Sequence, residues 1–377
     1  MTFLELGLSK SLCDLLDQNK YAKPYPIQEQ AIPFVLQGYD VLGIAPTGSG
    51  KTASFALPVL QILQGKTNIK NRHISALVLV PTRELAVQVE AVFSGFTKVL
   101  PDRIKTLAVF GGTSINPQMI KLQNVNVLVA TPGRLLDLIR SNALSLSSLS
   151  TFVLDEADKM LNLGFKEEMG AIFKLLPAKR QNLLFSATLS PDVQQIHASL
   201  LTNPKVVKVE QEGTKVDAIS QIAYRVSQEK KGPLLRYLIR SKKMEQVLVF
   251  TSSAQQADRV CNKLIKNGFN ARALHSKKSQ GFRNQAMIDF KHKGVHVLVA
   301  TDVLSRGIDI EFLSFVINYE LPRSPKDFIH RIGRTGRAEQ QGEAITLITA
   351  EDSQHFKVIK KKMNVTIDEI DAEQLEF

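Results

Sequence analysis

The chain has 377 residues, in which 48 Lys and Arg outnumber 36 Asp and Glu, for a formal net charge of +12. This length predicts two domains, and the basic excess favours a polyanionic partner without identifying it as nucleic acid. Cys13 and Cys261 are the only cysteines, which argues against a disulfide framework or a cysteine zinc site. No apolar run could span a bilayer and no signal peptide opens the chain, so we expect a cytoplasmic protein with no membrane partner.

The basic excess is shared by both halves of the chain. Residues 1–210 hold 21 basic and 16 acidic side chains, and residues 211–377 hold 27 and 20. A basic tail would concentrate the excess at one end, so this distribution favours a polyanion that contacts both halves. The alternative is an ordinary soluble protein with many surface lysines.

Short runs rich in Val, Ile and Leu alternate with longer helical patterns. Most runs are continuously apolar, as in parallel strands covered on both faces. We therefore predict an α/β fold of parallel β-sheets flanked by helices, with ligands beyond the carboxyl ends of the strands. The predicted strands are DVLGIA, ISALVLV, IKTLAVF, VNVLVAT, TFVLDE and NLLFSAT, then QIAYRV, QVLVFT, ARALH, VHVLVAT, FVINYE and EAITLI.

Apolar periodicity lapses around Gly213, in KVEQEGTKVDAIS. We predict an N-terminal domain over residues 1–209, a linker over 210–218 and a C-terminal domain over 219–377. Almost the same strand occurs on each side of this linker, as VNVLVAT ending at Thr131 and VHVLVAT ending at Thr301. The repeat raises the expectation of two similar domains.

The segment APTGSGKT, residues 45–52, lies between a predicted strand and a helical pattern. This context predicts a phosphate-binding loop, whose backbone N–H groups converge on phosphates. Lys51 would meet the β- and γ-phosphates, and Thr52 would offer its hydroxyl to Mg²⁺. The motif's first glycine is replaced by Ala45. The nucleotide-binding residues predicted here are Thr47, Gly48, Ser49, Gly50, Lys51 and Thr52.

The segment VLDEADKM places two carboxylates directly after a predicted buried strand. Asp155 could hold hydrated Mg²⁺ beside the phosphate loop, and Glu156 could orient or deprotonate an attacking water. A solvated acidic helix start is the alternative.

Six motifs occur in one order over essentially the whole chain: PTRELA from Pro81, TPGR from Thr131, DEAD from Asp155, SAT from Ser186, ATDVLSRGID from Ala300 and HRIGRTGR from His330. Together they resemble the DEAD-box RNA helicase family. The resemblance implies two tandem RecA-like domains, with ATP in the cleft between them and RNA across both. The lean core and INYELP are most similar to bacterial members of the RhlE kind. Because the sequence holds little beyond the motifs of the core, we expect either a minimal natural protein or a truncated core.

The resemblance assigns ATP hydrolysis to Lys51, Asp155 and Glu156, with Thr52 and Asp155 at Mg²⁺. It adds Arg334 and Arg337 as arginine fingers, and a nucleotide contact for Asp309. Rigid, permanently charged guanidinium groups suit the charge that spreads over a transferring phosphoryl group. A basic loop that contacts RNA is the alternative for HRIGRTGR.

The segment YAKPYPIQ resembles the family's Q motif. This implies paired hydrogen bonds from Gln28 to adenine, stacking of Tyr21 on the base and an upstream aromatic at Phe3. Lys20 and Tyr25 depart from the family's usual Gly and Thr.

Thr131 and Thr301 end predicted parallel strands, where a hydroxyl and nearby N–H groups can bind a phosphate. The alternative for each threonine is a helix N-cap. Contacts to sugar and phosphate predict weak sequence specificity and marked salt dependence. The expected RNA-binding residues, most of them implied by the resemblance, are Pro81, Thr82, Arg83, Gly111, Gly112, Thr131, Arg134, Thr251 and Thr301.

The resemblance also implies that Ser186 and Thr188 link Asp158 to His330 and couple hydrolysis to domain closure. Lys277 and Lys278, which depart from the family pattern, fit phosphate contact or solvated surface equally well.

We expect a monomeric RNA-stimulated ATPase, with ATP and Mg²⁺ as cofactors, that locally unwinds short RNA duplexes or remodels ribonucleoproteins. The alternative is an ATP-gated RNA clamp or assembly factor without significant strand separation. A DNA translocase is disfavoured by the combination of Q motif and DEAD.

Overall fold

The structure, a computed structural model, describes residues 1–19, 21, 23–46, 48–65, 71–209, 219–302, 313–335, 342–363 and 365–375; of Lys326 it describes the backbone alone. The chain forms two compact units, Met1–Gln211 and Glu212–Phe377. The linker predicted over 210–218 lies outside the described residues, so the proposed domain bounds stay predictions. Thr47, Asp309 and Arg337 also lie outside them.

The first unit is a parallel β-sheet flanked by helices. Its strands are β1 (Val41–Ile44), β2 (Ala76–Leu79), β3 (Thr106–Val109), β4 (Val127–Ala130), β5 (Thr151–Leu154), β6 (Gln181–Ser186) and β7 (Lys205–Lys208). Its helices are α1 (Lys10–Gln18), α2 (Pro26–Leu36), α3 (Lys51–Leu63), α4 (Arg83–Thr97), α5 (Asn116–Lys121), α6 (Pro132–Arg140), α7 (Ala157–Asn162), α8 (Lys166–Leu175) and α9 (Pro191–Leu200).

The second unit is built in the same way. Its strands are β8 (Ile219–Arg225), β9 (Val247–Thr251), β10 (Ala271–Leu274), β11 (Val297–Thr301), β12 (Phe315–Asn318), β13 (Gly342–Ile348) and β14 (Asp368–Asp371). The described helices are α10 (Lys231–Ser241), α11 (Ala254–Lys266), α12 (Gln280–Lys291), α13 (Pro325–Ile332) and α14 (Ser353–Met363), followed by a 3-10 turn at Ala372–Gln374.

The two sheets have the same strand order. The first has seven strands ordered β3-β4-β2-β5-β6-β1-β7, and the second has seven ordered β10-β11-β9-β12-β13-β8-β14. All pairings between these strands are parallel. The predicted fold of two tandem RecA-like domains is confirmed. The repeated strands β4 and β11 hold the same position in the two sheets.

Alternate residues of these repeated strands enter cores on opposite faces of their sheet. In β4, Val127 and Val129 join one buried cluster, and Leu128 and Ala130 join the other. The corresponding residues of β11 divide in the same way. Since helices cover both faces, every position is apolar, which is why the strands read as continuous hydrophobic runs.

The sequence did not reveal the edge strands β7 and β14. In β7 only Val207 is buried, and all four residues of β14 are exposed. Such short, charged edge strands carry little hydrophobic signal, and their charges discourage pairing with other chains. In the part of the chain that the structure describes, no helix is long and apolar enough to cross a membrane.

Candidate nucleotide and RNA sites

The predicted phosphate loop connects β1 to α3. Gly48 and Gly50 have φ angles of +78° and +85°, in the left-handed region that side chains disfavour. A Cβ on Gly50 would also collide with the side-chain amide of Gln28. Glycine is therefore required at position 50 by its backbone and by a close neighbour.

Lys51 is the first residue of α3, and its side chain is buried within the loop. Its Nζ donates a hydrogen bond to the carbonyl oxygen of Ala45 at 2.8 Å, which uses one of its three donors. Burial lowers the pKa of Lys51, and the carboxylates of Asp155 and Glu156 act in the opposite direction. The ammonium group thus lies within the electrostatic reach of both DEAD carboxylates.

Asp155 follows the last residue of β5 and is buried. Its Oδ1 accepts a hydrogen bond from the N–H of Glu156 at 2.9 Å. Burial and the neighbouring Glu156 carboxylate raise the pKa of Asp155, against the influence of Lys51 and Lys159.

The donors available here fit a magnesium ion. Thr52, half-buried in the first turn of α3, and Asp155 offer oxygen ligands. Among the described residues, no group of three or more His, Cys, Asp or Glu side chains could hold a metal ion by itself. Mg²⁺ commonly binds through one or two protein oxygens together with phosphate oxygens, so this set is suited to MgATP.

Glu156 has φ +53°, an uncommon left-handed conformation for a residue with a side chain. Lys159 Nζ donates to its Oε1 at 2.5 Å, and both side chains are buried. The other carboxylate oxygen, Oε2, is buried with no hydrogen-bond partner among the described residues. Sequence reasoning missed Lys159, although its position three residues after Glu156 in a predicted helix start was an available signal.

Asp158 lies in the first turn of α7 and bonds to the SAT segment. The hydroxyl of Thr188 donates to its Oδ2 at 3.1 Å, and the hydroxyl of Ser186 donates to the carbonyl of Thr188 at 2.8 Å. Three of the four predicted coupling residues therefore lie together, and the fourth, His330, belongs to α13 of the second unit.

Gln28 connects the Q motif to the phosphate loop. Its Nε2 donates to the carbonyl of Gly50 at 3.0 Å, and its Oε1 accepts from the N–H of Tyr25 at 3.0 Å. Tyr21 is partly exposed and packs edge-on against Phe96, with ring centroids 6.4 Å apart. Phe3 is buried in the hydrophobic core of the unit. Nucleotide contacts for these three side chains stay predictions.

Three segments predicted to contact RNA meet in the first unit. Thr131 stands at the N-cap position of α6, yet its hydroxyl makes no capping bond. Its Oγ1 instead accepts from the N–H of Gly111 at 3.4 Å. Arg134 Nη2 donates to the carbonyl of Thr113 at 2.8 Å, and the Arg83 guanidinium lies so close to Gly112 that a Cβ there would collide with it.

Pro81 and Thr82, the other residues of the first unit that were predicted to contact RNA, have different surroundings. Pro81 is buried, and the Thr82 hydroxyl caps α4 by accepting from the N–H of Leu85 at 3.2 Å. Capping, offered as the alternative for Thr131, is thus what the hydroxyl of Thr82 does.

Gln118, on α5, was not identified from the sequence. Its Oε1 accepts from the N–H of Phe110 at 3.0 Å. Its Nε2, which has two N–H groups, lies within hydrogen-bond distance of three acceptors: the hydroxyl of Thr113 at 2.9 Å and the carbonyls of Phe110 and Ser114, each at 3.2 Å. It fixes the shape of loop 110–114, which contains Gly111 and Gly112.

Thr301 and Thr251 are register partners at the carboxyl ends of β11 and β9. Thr251 is fully buried, and its hydroxyl donates to the carbonyls of Ser253 at 3.4 Å and Ala300 at 3.5 Å. The exposed neighbour Ser252 donates its N–H and hydroxyl to Glu320 Oε2, at 2.7 and 2.6 Å. The Thr251 hydroxyl therefore already bonds to the protein itself, and its contact with RNA stays a prediction.

Arg331, within HRIGRTGR, is completely buried and was also missed. Its Nε and Nη2 donate to the two carboxylate oxygens of Asp302 at 2.5 and 2.8 Å. Its Nη1 donates to Asn318 Oδ1 at 3.1 Å and to the carbonyl of Glu320 at 2.6 Å, and the guanidinium carbon lies 5.1 Å from the ring centroid of Phe250. Arg331 thus ties the residue after Thr301 to the helix that carries His330.

The predicted arginine finger Arg334 directly follows α13. It is largely buried, and its Nε donates to the carbonyl of His330 at 3.4 Å. Lys278, left open between phosphate contact and surface, pairs with Asp258 at 2.9 Å and lies 5.4 Å from the ring centroid of Phe282. Lys277 is exposed. The pairing of Lys278 favours a surface role for that residue.

Comparison with known proteins agrees with this arrangement. Residues 25–196 match a family model described as DEAD/DEAH box helicase, and residues 229–339 match the helicase conserved C-terminal domain. The chain is 38% identical over 97% of its length to the ATP-dependent RNA helicase CshA of Limosilactobacillus reuteri, 72% of which it covers. It is 38% identical over its full length to the ATP-dependent RNA helicase DeaD of Buchnera aphidicola, 62% of which it covers.

Solved structures give the same result. Saccharomyces cerevisiae Dbp5 bound to RNA and ADP BeF3 aligns with a TM-score of 0.86 and 31% identity, covering 99% of this chain and 96% of Dbp5. A DEAD box protein from Methanococcus jannaschii aligns with a TM-score of 0.56 and 35% identity, covering 98% of this chain and 99% of that one.

Proposed function

Because the chain belongs to the DEAD-box family of ATP-dependent RNA helicases, we propose that it couples hydrolysis of MgATP to local unwinding of short RNA duplexes or remodelling of ribonucleoproteins. The observation that carries this proposal is the buried cluster behind the phosphate loop. It combines Lys51, Asp155 and Glu156 at the carboxyl edge of a parallel sheet, where nucleotides bind in such folds. Two further observations support the use of MgATP. The relatives are named as ATP-dependent helicases, and Thr52 and Asp155 of this chain offer oxygen ligands that suit Mg²⁺.

The proposed chemistry divides among these residues. Lys51 binds the β- and γ-phosphates, and Thr52 with Asp155 holds Mg²⁺, which when bound neutralises charge on the phosphate oxygens. Glu156 orients the attacking water and accepts its proton. Arg334 and Arg337 contribute positive charge from the second unit, and Asp309 contacts the nucleotide. Hydrolysis then depends on residues from both units, which makes it responsive to ligands that draw them together.

Preference for ATP would come from Gln28, whose amide carries a donor and an acceptor side by side. Its contact with Gly50 supports a link between base recognition and the phosphate loop. Tyr21 completes the proposed base site by stacking, and Phe3 is the upstream aromatic of this motif.

RNA binding is proposed to run along the strand ends, through backbone contacts. The bonds of Thr131 to Gly111 and of Arg134 to Thr113, which hold loop 110–114 against the start of α6, support this path. Pro81, Thr82, Arg83, Gly112, Thr251 and Thr301 are the other proposed contacts. Affinity should be nearly independent of base sequence and should fall steeply with added salt. We propose that the protein acts in the cytoplasm and as a monomer.

Two measurements on the same protein test the proposal. Glu156→Gln should bind ATP and RNA with near wild-type affinity but lower RNA-stimulated turnover by ~10²-fold or more, as expected for loss of a general base. Wild-type turnover would reject Glu156 as the base.

The wild-type chain should displace a strand from a short labelled RNA duplex in the presence of ATP. Nucleotide-dependent retention on single strands without displacement would instead support an RNA clamp, and equal ATPase stimulation by DNA would argue against specificity for RNA.

A further inference from the structure

We infer that Lys159 is a positioning residue for Glu156, which holds one carboxylate oxygen so that the other is presented to the attacking water. The inference rests on the proposed role of Glu156 as the base. It assigns a task to a side chain that the motifs leave without one.

The first support is the geometry of the pair. Glu156 lies at the N-cap position of α7, in a left-handed conformation, and Lys159 lies in the first turn of that helix. Lys159 Nζ reaches back to Glu156 Oε1 at 2.5 Å. Because both side chains are buried, solvent does not screen the attraction, and the rotation of the carboxylate is restricted.

The second support is the other oxygen of the same carboxylate. Glu156 Oε2 is buried and has no hydrogen-bond partner among the described residues. A buried carboxylate oxygen without a donor is costly, so one that no protein group satisfies is suited to accept from a water or a ligand. One oxygen is thus committed to Lys159, and the other is left to accept a hydrogen bond from water.

The third support is the balance of charge. Lys159 lies within the electrostatic reach of Lys51 and Asp155 as well as Glu156. The two cations Lys51 and Lys159 therefore accompany three carboxylates, Asp155, Glu156 and Asp158, in this buried cluster. Without Lys159 the Glu156 carboxylate would lose the donor that fixes its orientation.

A purely structural ion pair is the competing explanation, and a double-mutant cycle separates the two. Lys159→Met should lower RNA-stimulated kcat by roughly 10-fold or more, a part of the 10²–10⁴ that a positioned base contributes. KM for ATP and binding of a non-hydrolysable ATP analogue should stay within about 3-fold, because Lys159 is assigned no phosphate contact. Lys159→Arg, which keeps a charged donor, should retain most of the activity.

In a Glu156→Gln background, Lys159→Met should change the residual rate by less than about 2-fold, since the residue that it positions is already lost. The double variant also removes one charge of each sign, so its melting temperature should exceed that of Lys159→Met alone. Lys166→Met is the matched control, since that lysine is 70% exposed on the next helix, and it should leave kcat unchanged.

Each other outcome has a definite meaning. If Lys159→Met lowers the rate equally in both backgrounds, Lys159 acts independently of Glu156 and the inference is wrong. Unchanged kcat in a folded Lys159→Met protein would also overturn it. If Lys159→Met does not fold, Lys159→Ala, which also lacks a donor, takes its place, with the same loss of kcat expected. Wild-type turnover of Glu156→Gln would instead reject the proposed function from which the inference starts.

Discussion

Thr188 donates its hydroxyl to Asp158 Oδ2 across 3.1 Å and thereby joins the segment after β6 to the first turn of α7. Asp158 is separated from the proposed base Glu156 by one residue, so a change in the SAT segment has a direct route to the site of hydrolysis. The hydroxyl of Ser186, which donates to the carbonyl of Thr188, holds that segment in place.

Replacing both hydroxyl groups, in Ser186→Ala with Thr188→Ala, should separate hydrolysis from strand opening. The phosphate loop and the carboxylates would stay intact, so RNA-stimulated ATPase should remain within about 3-fold, while duplex displacement falls by ~10-fold or more, as for loss of a coupling of 1–3 kcal/mol. Parallel assays of phosphate release and strand displacement on one preparation measure both. Equal losses in the two assays would contradict a specific coupling role.

Thr131→Val should weaken RNA binding, because the hydroxyl lies beside Gly111 in the proposed phosphate-contacting surface and does not cap its helix. Loss of a hydrogen bond to a charged group costs about 1.5–3 kcal/mol, or roughly 10- to 100-fold in the dissociation constant for RNA. Fluorescence anisotropy with a labelled single strand measures this.

Thr97→Val is a suitable control, since that hydroxyl donates to the carbonyl of Ser94 within α4. Thr301→Val, the equivalent change in the second unit, should behave as Thr131→Val does. If neither weakens RNA binding while ATP-analogue binding is normal, the repeat of β4 and β11 reflects shared fold alone.

The sequence predicted those parts of the site whose signals are local. Gly50, Lys51 and Asp155 each lie in a short motif next to an apolar strand, so both the element and the chemistry could be inferred. Most of the continuous apolar strands were found for the same physical reason, namely burial on two faces.

What the sequence left out depends on contacts between distant segments. Arg331 bonds to Asp302 and Asn318, in elements that no spacing rule brings together. Whether a threonine hydroxyl caps a helix, as at Thr82, or bonds elsewhere, as at Thr131, depends on local backbone geometry that its strand-end position does not reveal.

Gln118→Leu should weaken RNA binding although Gln118 itself is not proposed to contact RNA. The variant loses the bonds that fix loop 110–114, so the free loop becomes more flexible. Ordering it on RNA binding then has a larger conformational-entropy cost. We expect a roughly 3- to 30-fold increase in the RNA concentration for half-maximal ATPase, as for loss of about one or two net hydrogen bonds. The kcat at saturating RNA should change little.

Gln123→Leu is the control, because Gln123 lies at an exposed position just after α5 and outside loop 110–114. An equal shift in that variant would contradict the role assigned to Gln118.

Arg331→Met should destabilise the second unit. It leaves the carboxylate of Asp302 without its bidentate partner and Asn318 without a donor, which typically costs about 3–5 kcal/mol when a buried pair is broken on one side. Hydrogen exchange followed by mass spectrometry should show faster exchange in peptides that cover β12 and α13, with the first unit unaffected. Asp302→Asn with Arg331→Met should recover part of the protection, because the carboxylate that paired with Arg331 no longer carries a charge. Arg323→Met, at an exposed position just before α13, controls for loss of charge alone, and comparable loss of protection there would reject the central role of Arg331.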